Sequence, residues 1–269
     1  MGVRLTPLGS GSRGNAALLE AGRTRVLIDA GLSARALGQR LEAIGVSPGS
    51  VDAILLSHEH TDHTRGAERF SKKHGATVVC SVETLEAMDR SPRHFEGWMA
   101  LPDGAALDIG DVTVDHFAIP HDAARPVGFR LRAEGLCVGV ATDLGHATTL
   151  VIERLRGCQM LMIESNHDEE MLRNGPYPWQ LKQRVSGRMG HLSNDETAAL
   201  LGEVVSEDCG AVVLVHLSEK NNTPELARRC AASALERAGA KRAAMRVASA
   251  GCPTPHAGIR RRARRYVPP

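Results

Sequence analysis

Six consecutive residues, His58-Glu59-His60-Thr61-Asp62-His63, hold most of the chemistry this chain could do. Three imidazoles and two carboxylates directly follow an apolar run, Val51–Ser57, that reads as a buried strand. A buried polar group without a partner costs on the order of 1–3 kcal/mol, so folding alone gives no reason to gather five of them. A pair of divalent metal ions satisfies them together. In extended chain, alternate residues face one side, which lets His58 and His60 share one ion. Asp62 and His63 follow as the chain turns into an expected helix over Thr64–Lys73, and can face a second. The bland alternative is a polar turn rich in histidine. The ligand types and spacing of H-x-H-x-D-H favour the metal.

Four further polar residues sit directly after apolar strands. His121 follows Val112–Pro120, Asp143 follows Leu136–Thr142, Glu164 follows Met160–Ile163 and His216 follows Ala211–Val215. Strand ends along one sheet edge are where α/β proteins assemble sites, so these residues are expected to converge on the histidine cluster. Asp29 ends the strand Thr24–Ile28 and, like Glu164, is placed to support ligands from behind. His116, His146 and His167 lie near the pattern and read as supporting or surface groups. His74, His94 and His256 read as surface histidines.

The elements that must position these residues begin with a strand over Val3–Leu8. The next segment, Gly9-Ser10-Gly11-Ser12-Arg13-Gly14-Asn15, matches G-x-G-x-x-G, with Asp29 near the distance of a ribose-binding acid. A dinucleotide fold needs a helix there. Asn15–Glu20 is cut short by Gly22, and Thr24–Ile28 is already the next strand, so a hairpin fits better. The glycines make either a plain turn or a loop, with Ser12 and Asn15, that admits a phosphate backbone. Ser33–Ile44 reads as a helix capped by Ser33 and stopped by Gly45. Ala76–Cys80 reads as a strand and Ser81–Met88 as a short helix. Strands then follow over Ala105–Ile109, Val112–Ile119, Val127–Arg132 and Leu136–Thr142. After the strand Met160–Ile163, a helix over Asn194–Val205 carries a Ser193/Glu196 capping box. The strand Ala211–Val215 and a helix over Pro224–Ala238, opened by Thr223, precede a last strand, Met245–Ser249. Both halves open with strands and mix in helices, which suits an α/β fold of two sheets packed face to face with helices outside. Residues 1–252 are expected to form one domain. Residues 253–269, with Arg260, Arg261, Arg262, Arg264 and Arg265, read as a basic tail: a solvated charge run, or a nucleic-acid contact.

Met171–Met189 carries Arg173, Lys182, Arg184 and Arg188, with Tyr177 and Trp179 between them. Aromatics are only 3% of the chain, so this local mix stands out. It suits phosphate contacts with one or two stacking platforms, or else an ordinary exposed connection. The net charge of +2 names no partner by itself. No apolar run reaches the roughly 18 residues of a membrane span, and the N-terminus lacks a signal-peptide core. The six cysteines are scattered with no C-x-x-C, which fits reduced thiols in a cytoplasmic protein.

H-x-H-x-D-H resembles the signature of the metallo-β-lactamase superfamily. Segments across residues 5–222 look like its WalJ (YycJ) branch: Leu8–Asn15, His121–Phe129, Ala141–Gly145, Glu164–Asp168, Asn174–Pro178, Leu181–Arg184, Gly190–Asn194 and His216–Asn222. The resemblance implies an αββα four-layer sandwich with two divalent ions, Mn2+ or Zn2+. His58, His60 and His121 would hold one ion, Asp62, His63 and His216 the other, and Asp143 would bridge them. It implies a 5′-to-3′ exonuclease acting on DNA in mismatch repair, with DNA-repair proteins as partners and no membrane role. The branch is also similar to ribonuclease Z, in which a histidine before a helix, matched here by His191, assists the leaving group. The expected mechanism has a bridging hydroxide attack phosphorus in line, Asp62 orient it or take its proton, and His191 protonate or stabilise the leaving oxygen. The bland role for His191 is a neighbour of the helix cap. Ser12, Asn15, Tyr177, Trp179, Lys182, Arg184, Arg188, Ser218 and Asn221 are the expected substrate contacts.

Three rival activities share parts of this pattern. A thioester, lactone or lactam hydrolase would use the metals without the basic Met171–Met189 segment. An RNA nuclease is the second, but neither His63–His121 nor Asp143–His216 holds a stretch long enough for an inserted domain or a clear glycine-proline-rich arm. A non-catalytic binding module is the third, and it has no use for metals with an open position.

Overall fold

The computed structural model describes residues 2–249 and 251–260. Two seven-stranded sheets pack face to face. The first half of the chain forms β1 (Val3–Gly9), β2 (Ala16–Ala21), β3 (Thr24–Ile28), β4 (Ala53–Leu55), β5 (Thr77–Cys80) and β6 (Gly97–Ala100). The second half forms β7 (Leu107–Ile109), β8 (Val112–Ala118), β9 (Val127–Ala133), β10 (Leu136–Ala141), β11 (Met160–Glu164), β12 (Ala211–Val215) and β13 (Ala244–Val247). A last strand, β14 (Ala257–Ile259), returns to the first sheet. The orders are β14-β1-β2-β3-β4-β5-β6 and β13-β12-β11-β10-β9-β8-β7. In each sheet an antiparallel part, β14 to β3 or β7 to β10, continues into a parallel part.

The period-two alternation of side chains builds the layers. On β3, Val26 and Ile28 face the core between the sheets while Leu27 faces the helices. On β11, Met160 and Met162 face the inter-sheet core while Leu161 and Ile163 face outward under helices. Helices α1 (Ala34–Ala43), α2 (Thr61–Thr64), α3 (Ala67–His74) and α4 (Val82–Ala87) belong to the first half. Leu37, Leu41 and Phe70 of α1 and α3 cover the outer face of the first sheet. Helices α5 (Thr149–Leu155), α6 (Glu169–Asn174), α7 (Trp179–Val185), α8 (Asn194–Val204) and α9 (Pro224–Arg237) follow. Leu155, Leu201 and Ala227 of α5, α8 and α9 cover the second sheet. The result is the expected four-layer αββα sandwich. Ser33, Ser193 with Glu196, and Thr223 cap α1, α8 and α9 as their sequence suggests.

Three expectations change. The helix expected over Thr64–Lys73 is two helices broken at Gly66. That amide donates to the Ala30 carbonyl at 2.7 Å, and a Cβ there would lie 2.2 Å from the Leu32 carbonyl oxygen. Met171–Met189 is not a plain connection, since it carries the end of α6 and all of α7. The domain does not stop at 252: β14 pairs with β1 in the register Val3↔Ile259, Arg4↔Gly258, Leu5↔Ala257. Ala257 and Ile259 are buried in the inter-sheet core, which draws that segment out of the expected tail. Arg261, Arg262, Arg264 and Arg265 lie outside the described residues. Among the described residues no helix is long and apolar enough to cross a membrane.

Candidate metal centre

Pairing direction explains why the chemistry gathers at one edge. β1, β3 and β4 run the same way in the first sheet, and β8, β10, β11 and β12 do so in the second. Their C-terminal ends therefore open together, the position from which α/β sheets present ligands. His58, His60, Asp62 and His63 follow β4, His121 follows β8, Asp143 follows β10, Glu164 ends β11, and His216 follows β12.

These side chains meet. Ligand atoms of His58, His60 and His121 lie within 4.8 Å of one another, as do those of Asp62, His63 and His216, and those of His58, His63 and Asp143. Asp143 touches both groups. Its Oδ2 is 3.1 Å from His63 Nε2. Its Oδ1 is 3.4 Å from His216 Nδ1 and 3.9 Å from His121 Nε2. Asp29, Asp143 and His216 all have left-handed backbone, with φ of 59°, 55° and 57°. A residue with a Cβ is strained there by about 1–2 kcal/mol. Three such residues lie at strand ends in this one cluster.

Electrostatics describe a cluster built around positive charge. Burial and then the neighbouring His63 hold the His58 pKa well below the ordinary histidine value, which keeps a neutral ring suited to a metal. Its Nε2 is buried and has no hydrogen-bond partner among the described residues. Burial works against a charged His63, yet Asp143 and Asp29 outweigh it and raise its pKa well above the ordinary value. His216 is likewise opposed by burial but raised to about 10 by Asp143, Asp62 and Glu164. Burial would raise the Asp143 pKa, and His216 and His63 overcome it to hold the carboxyl well below its usual range. The orphaned nitrogen, the neutral His58 ring and the carboxylates that demand cations form a donor set that fits divalent metal ions.

Around these atoms lies a supporting layer. Asp29 accepts from the Ser57 amide at 2.8 Å and from the Ser57 hydroxyl at 2.9 Å, and its Oδ2 is 2.8 Å from His63 Nδ1. The Ser57 hydroxyl is also 2.9 Å from His58 Nδ1. Glu164 is fully buried and accepts the amides of Asp143, Leu144 and Leu192 at 3.1, 2.8 and 2.8 Å. The same carboxylate lies 3.1 Å from His191 Nδ1 and 3.4 Å from His216 Nδ1. Burial pushes its pKa up, but His191 and His216 prevail and hold it at about 2. Gly31 is required by contact: a Cβ there would lie 1.5 Å from the Asp62 carbonyl oxygen.

A cavity of about 250 Å³ opens over the cluster, lined by Ser12, Asp62, His121, Asp122, Arg184 and His191 among others. Of the expected substrate contacts, Ser12 and Arg184 reach this cavity. Arg184 Nε and an Nη each lie 2.8 Å from Asp122 Oδ2. Trp179 is 67% exposed at the start of α7, and Tyr177 before it is half-buried. Lys182 donates to the Arg173 carbonyl at 2.7 Å, and Arg188 lies 3.0 Å from His146 Nε2. Neither lines the cavity. Asn15 and Asn221 depart from expectation because both are buried. Asn15 accepts the Gly11 amide at 2.8 Å and donates to Asp62 Oδ2 at 3.2 Å, so it holds the ligand loop. Asn221 donates to Ser218 Oγ at 3.3 Å, and Ser218 also accepts the Asn221 amide at 3.2 Å. Those two residues brace their own loop. Sequence reasoning missed Ser57 and Asp122, whose only signal was position beside His58 and His121.

The beta-lactamase superfamily domain matches residues 24–217. The chain is 34% identical over 237 residues to a protein named exodeoxyribonuclease WalJ from Streptococcus pneumoniae serotype 2, covering 84% of this chain and 86% of that protein. It is 32% identical over 245 residues to exodeoxyribonuclease YycJ from Bacillus anthracis, covering 89% and 91%. The metallo-beta-lactamase fold protein YhfI from Bacillus subtilis superposes with a TM-score of 0.73 at 16% identity, over 93% of this chain and 98% of that one.

Proposed function

The chain belongs to the beta-lactamase superfamily, beside WalJ and YycJ, and from that premise we propose that this metal-dependent hydrolase shortens DNA from the 5′ end, in mismatch repair. The observation that carries the reading is the pair His191 and Glu164. A buried carboxylate holds an imidazole at 3.1 Å on the wall of a cavity that opens onto the ligand cluster. Phosphodiester hydrolysis needs a nucleophile, neutralised phosphoryl oxygens and a proton for the leaving oxygen, and the pair answers the last need.

We assign one divalent ion, Mn2+ or Zn2+, to His58, His60 and His121, a second to Asp62, His63 and His216, and Asp143 to both. When bound, such ions lower the pKa of water and neutralise phosphoryl charge. Asp62, held from behind by Asn15, orients the attacking water and takes its proton. His191 has Nδ1 committed to Glu164, which leaves Nε2 to give a proton to the departing 3′ oxygen as the P–O bond breaks. The products are a released nucleotide with a 3′-hydroxyl and a shortened strand with a new 5′-phosphate. Arg184, held at the cavity by Asp122, neutralises a neighbouring phosphate, and the exposed Trp179 ring offers a surface for base stacking. A small-molecule hydrolase would need neither of these last two.

The test is degradation of a labelled, 5′-phosphorylated linear duplex with manganese or zinc and with chelator, beside the Asp62→Ala protein and a matched RNA. Metal-dependent release of nucleotides from the 5′ end, absent in the variant, is the expected result. Degradation of RNA alone would replace the reading with a ribonuclease. No cleavage of either, with metal bound, would point to small ester or lactam substrates.

A further inference from the structure

The edge of the sheets opposite the metal centre carries a second, basic groove. Two adjoining cavities of about 700 and 530 Å³ share Arg4 and His256, and each is larger than the cavity over the metal cluster. Arg246 and Arg260 line the larger one, and Arg25 lines the other. Among the described residues the larger cavity has no acid in its lining. Glu20 is the one acid among the described residues lining the other, and its side chain is only 13% exposed, 3.1 Å from Arg4 and 3.5 Å from Arg25. The fold builds this surface deliberately far from the centre. β14 pairs with β1, so Arg4 lies beside Gly258, which has no side chain to cover it. Arg4 begins the strand whose other end leads to Ser10, and the Ser10 hydroxyl accepts the His216 amide. Six residues of strand separate them by about 20 Å through the interior, so a substrate that passes round the outside must exceed the roughly six base pairs that span that length.

Among the described residues the cations lining the groove are arginines and a histidine, with no lysine. Guanidinium forks match phosphate oxygens bidentately, and a row of them with almost no competing carboxylate suits a repeating phosphodiester better than a single anion. We propose that this groove is a second nucleic-acid site that holds the phosphate backbone of the substrate beyond the end being cut. The proposal rests on the DNA reading above. It makes affinity depend on length, because a duplex of a few base pairs cannot reach from the metal centre to Arg4.

The experiment compares the metal-loaded protein with the Arg4→Gln/Arg246→Gln/Arg260→Gln variant, and with Arg260→Glu alone, a change at an exposed residue beyond β14. KM and kcat are measured on a hairpin of about four base pairs and on a duplex of about 30. The triple variant should raise KM for the long duplex about tenfold or more, leave kcat and the short hairpin unchanged, and lower the salt dependence of KM by two to three powers of salt. Arg260→Glu should move the same quantities the same way by a smaller amount. Unchanged KM on the long duplex, or an equal rise on both substrates, would overturn the proposal. So would a variant that keeps DNA affinity but loses adsorption to vesicles of acidic lipid. A wild-type protein that cuts no DNA, yet binds the long duplex through these arginines in fluorescence anisotropy, would sink the nuclease reading and leave the groove standing.

Discussion

Replacing Glu164 by Gln keeps the volume of the side chain and removes a charge from the most heavily used carboxylate in the molecule. Oε1 accepts the amides of Leu144 and Leu192, both at 2.8 Å. Oε2 accepts the Asp143 amide at 3.1 Å and faces the Nδ1 atoms of His191 and His216 at 3.1 and 3.4 Å. A Gln side chain has one oxygen, so its NH2 must be turned against one of these two sets of donors. A buried donor left without an acceptor costs roughly 1–3 kcal/mol, and removing one partner of a buried ion pair costs about 3–5 kcal/mol. We expect Glu164→Gln to lose about 3–5 kcal/mol at neutral pH, a large share of the roughly 5–15 kcal/mol that holds a domain together. Urea unfolding of the metal-free protein reads this as a lower midpoint with an unchanged slope. The sign with pH follows from the folded carboxyl, held at about 2 against an ordinary 4.5. A depressed pKa contributes stability that is fully present above the unfolded value and is lost as pH falls through the folded one. The gap between the two proteins should therefore narrow from about pH 4.5 downward. A Gln variant as stable as the parent at pH 7, or a gap that stays constant to pH 3, would refute the reasoning.

Other perturbations separate the roles further. His191→Ala should keep its bound metal while turnover falls by about 10²–10⁴; unchanged turnover would remove the proton-donor role. Asp29→Asn leaves the Ser57 contacts partly intact but weakens the hold on His63, so metal affinity by titration should fall about 10–100-fold, and an unaltered affinity would make Asp29 a bystander. Arg184→Glu should weaken DNA binding and reduce its salt slope by about 1, whereas an unchanged slope would take Arg184 off the substrate path. Gly31→Ala puts a Cβ 1.5 Å from the Asp62 carbonyl oxygen, so purified protein should lack metal by elemental analysis; normal metal content would show that the ligand loop can move aside.

What sequence could reveal, and what it could not, divides along a physical line. His58, His60, His121, Asp143 and His216 were legible because a strand fixes where its last residue emerges, and parallel strands bring those ends to one edge. Asp29 and Glu164 were legible for the same reason, being strand-end carboxylates with no local partner to consume them. Asn15 and Asn221 lie in loops, where no periodicity sets the direction of a side chain, and each turned inward to satisfy a neighbour. The break at Gly66 depends on a carbonyl 36 residues earlier, that of Ala30, which no local pattern contains. β14 is three residues long in a stretch rich in proline, glycine and arginine, and it became a strand because β1 offered an unpaired edge and the core offered space for Ala257 and Ile259. The same return of the chain placed Arg260 in one cavity with Arg4, so this one arginine of the expected tail contributes to a surface that only the closed sandwich creates. Local sequence thus specified the clustered donor atoms, while the long-range pairings specified what surrounds them, and it is the surroundings that distinguish one hydrolase of this fold from another.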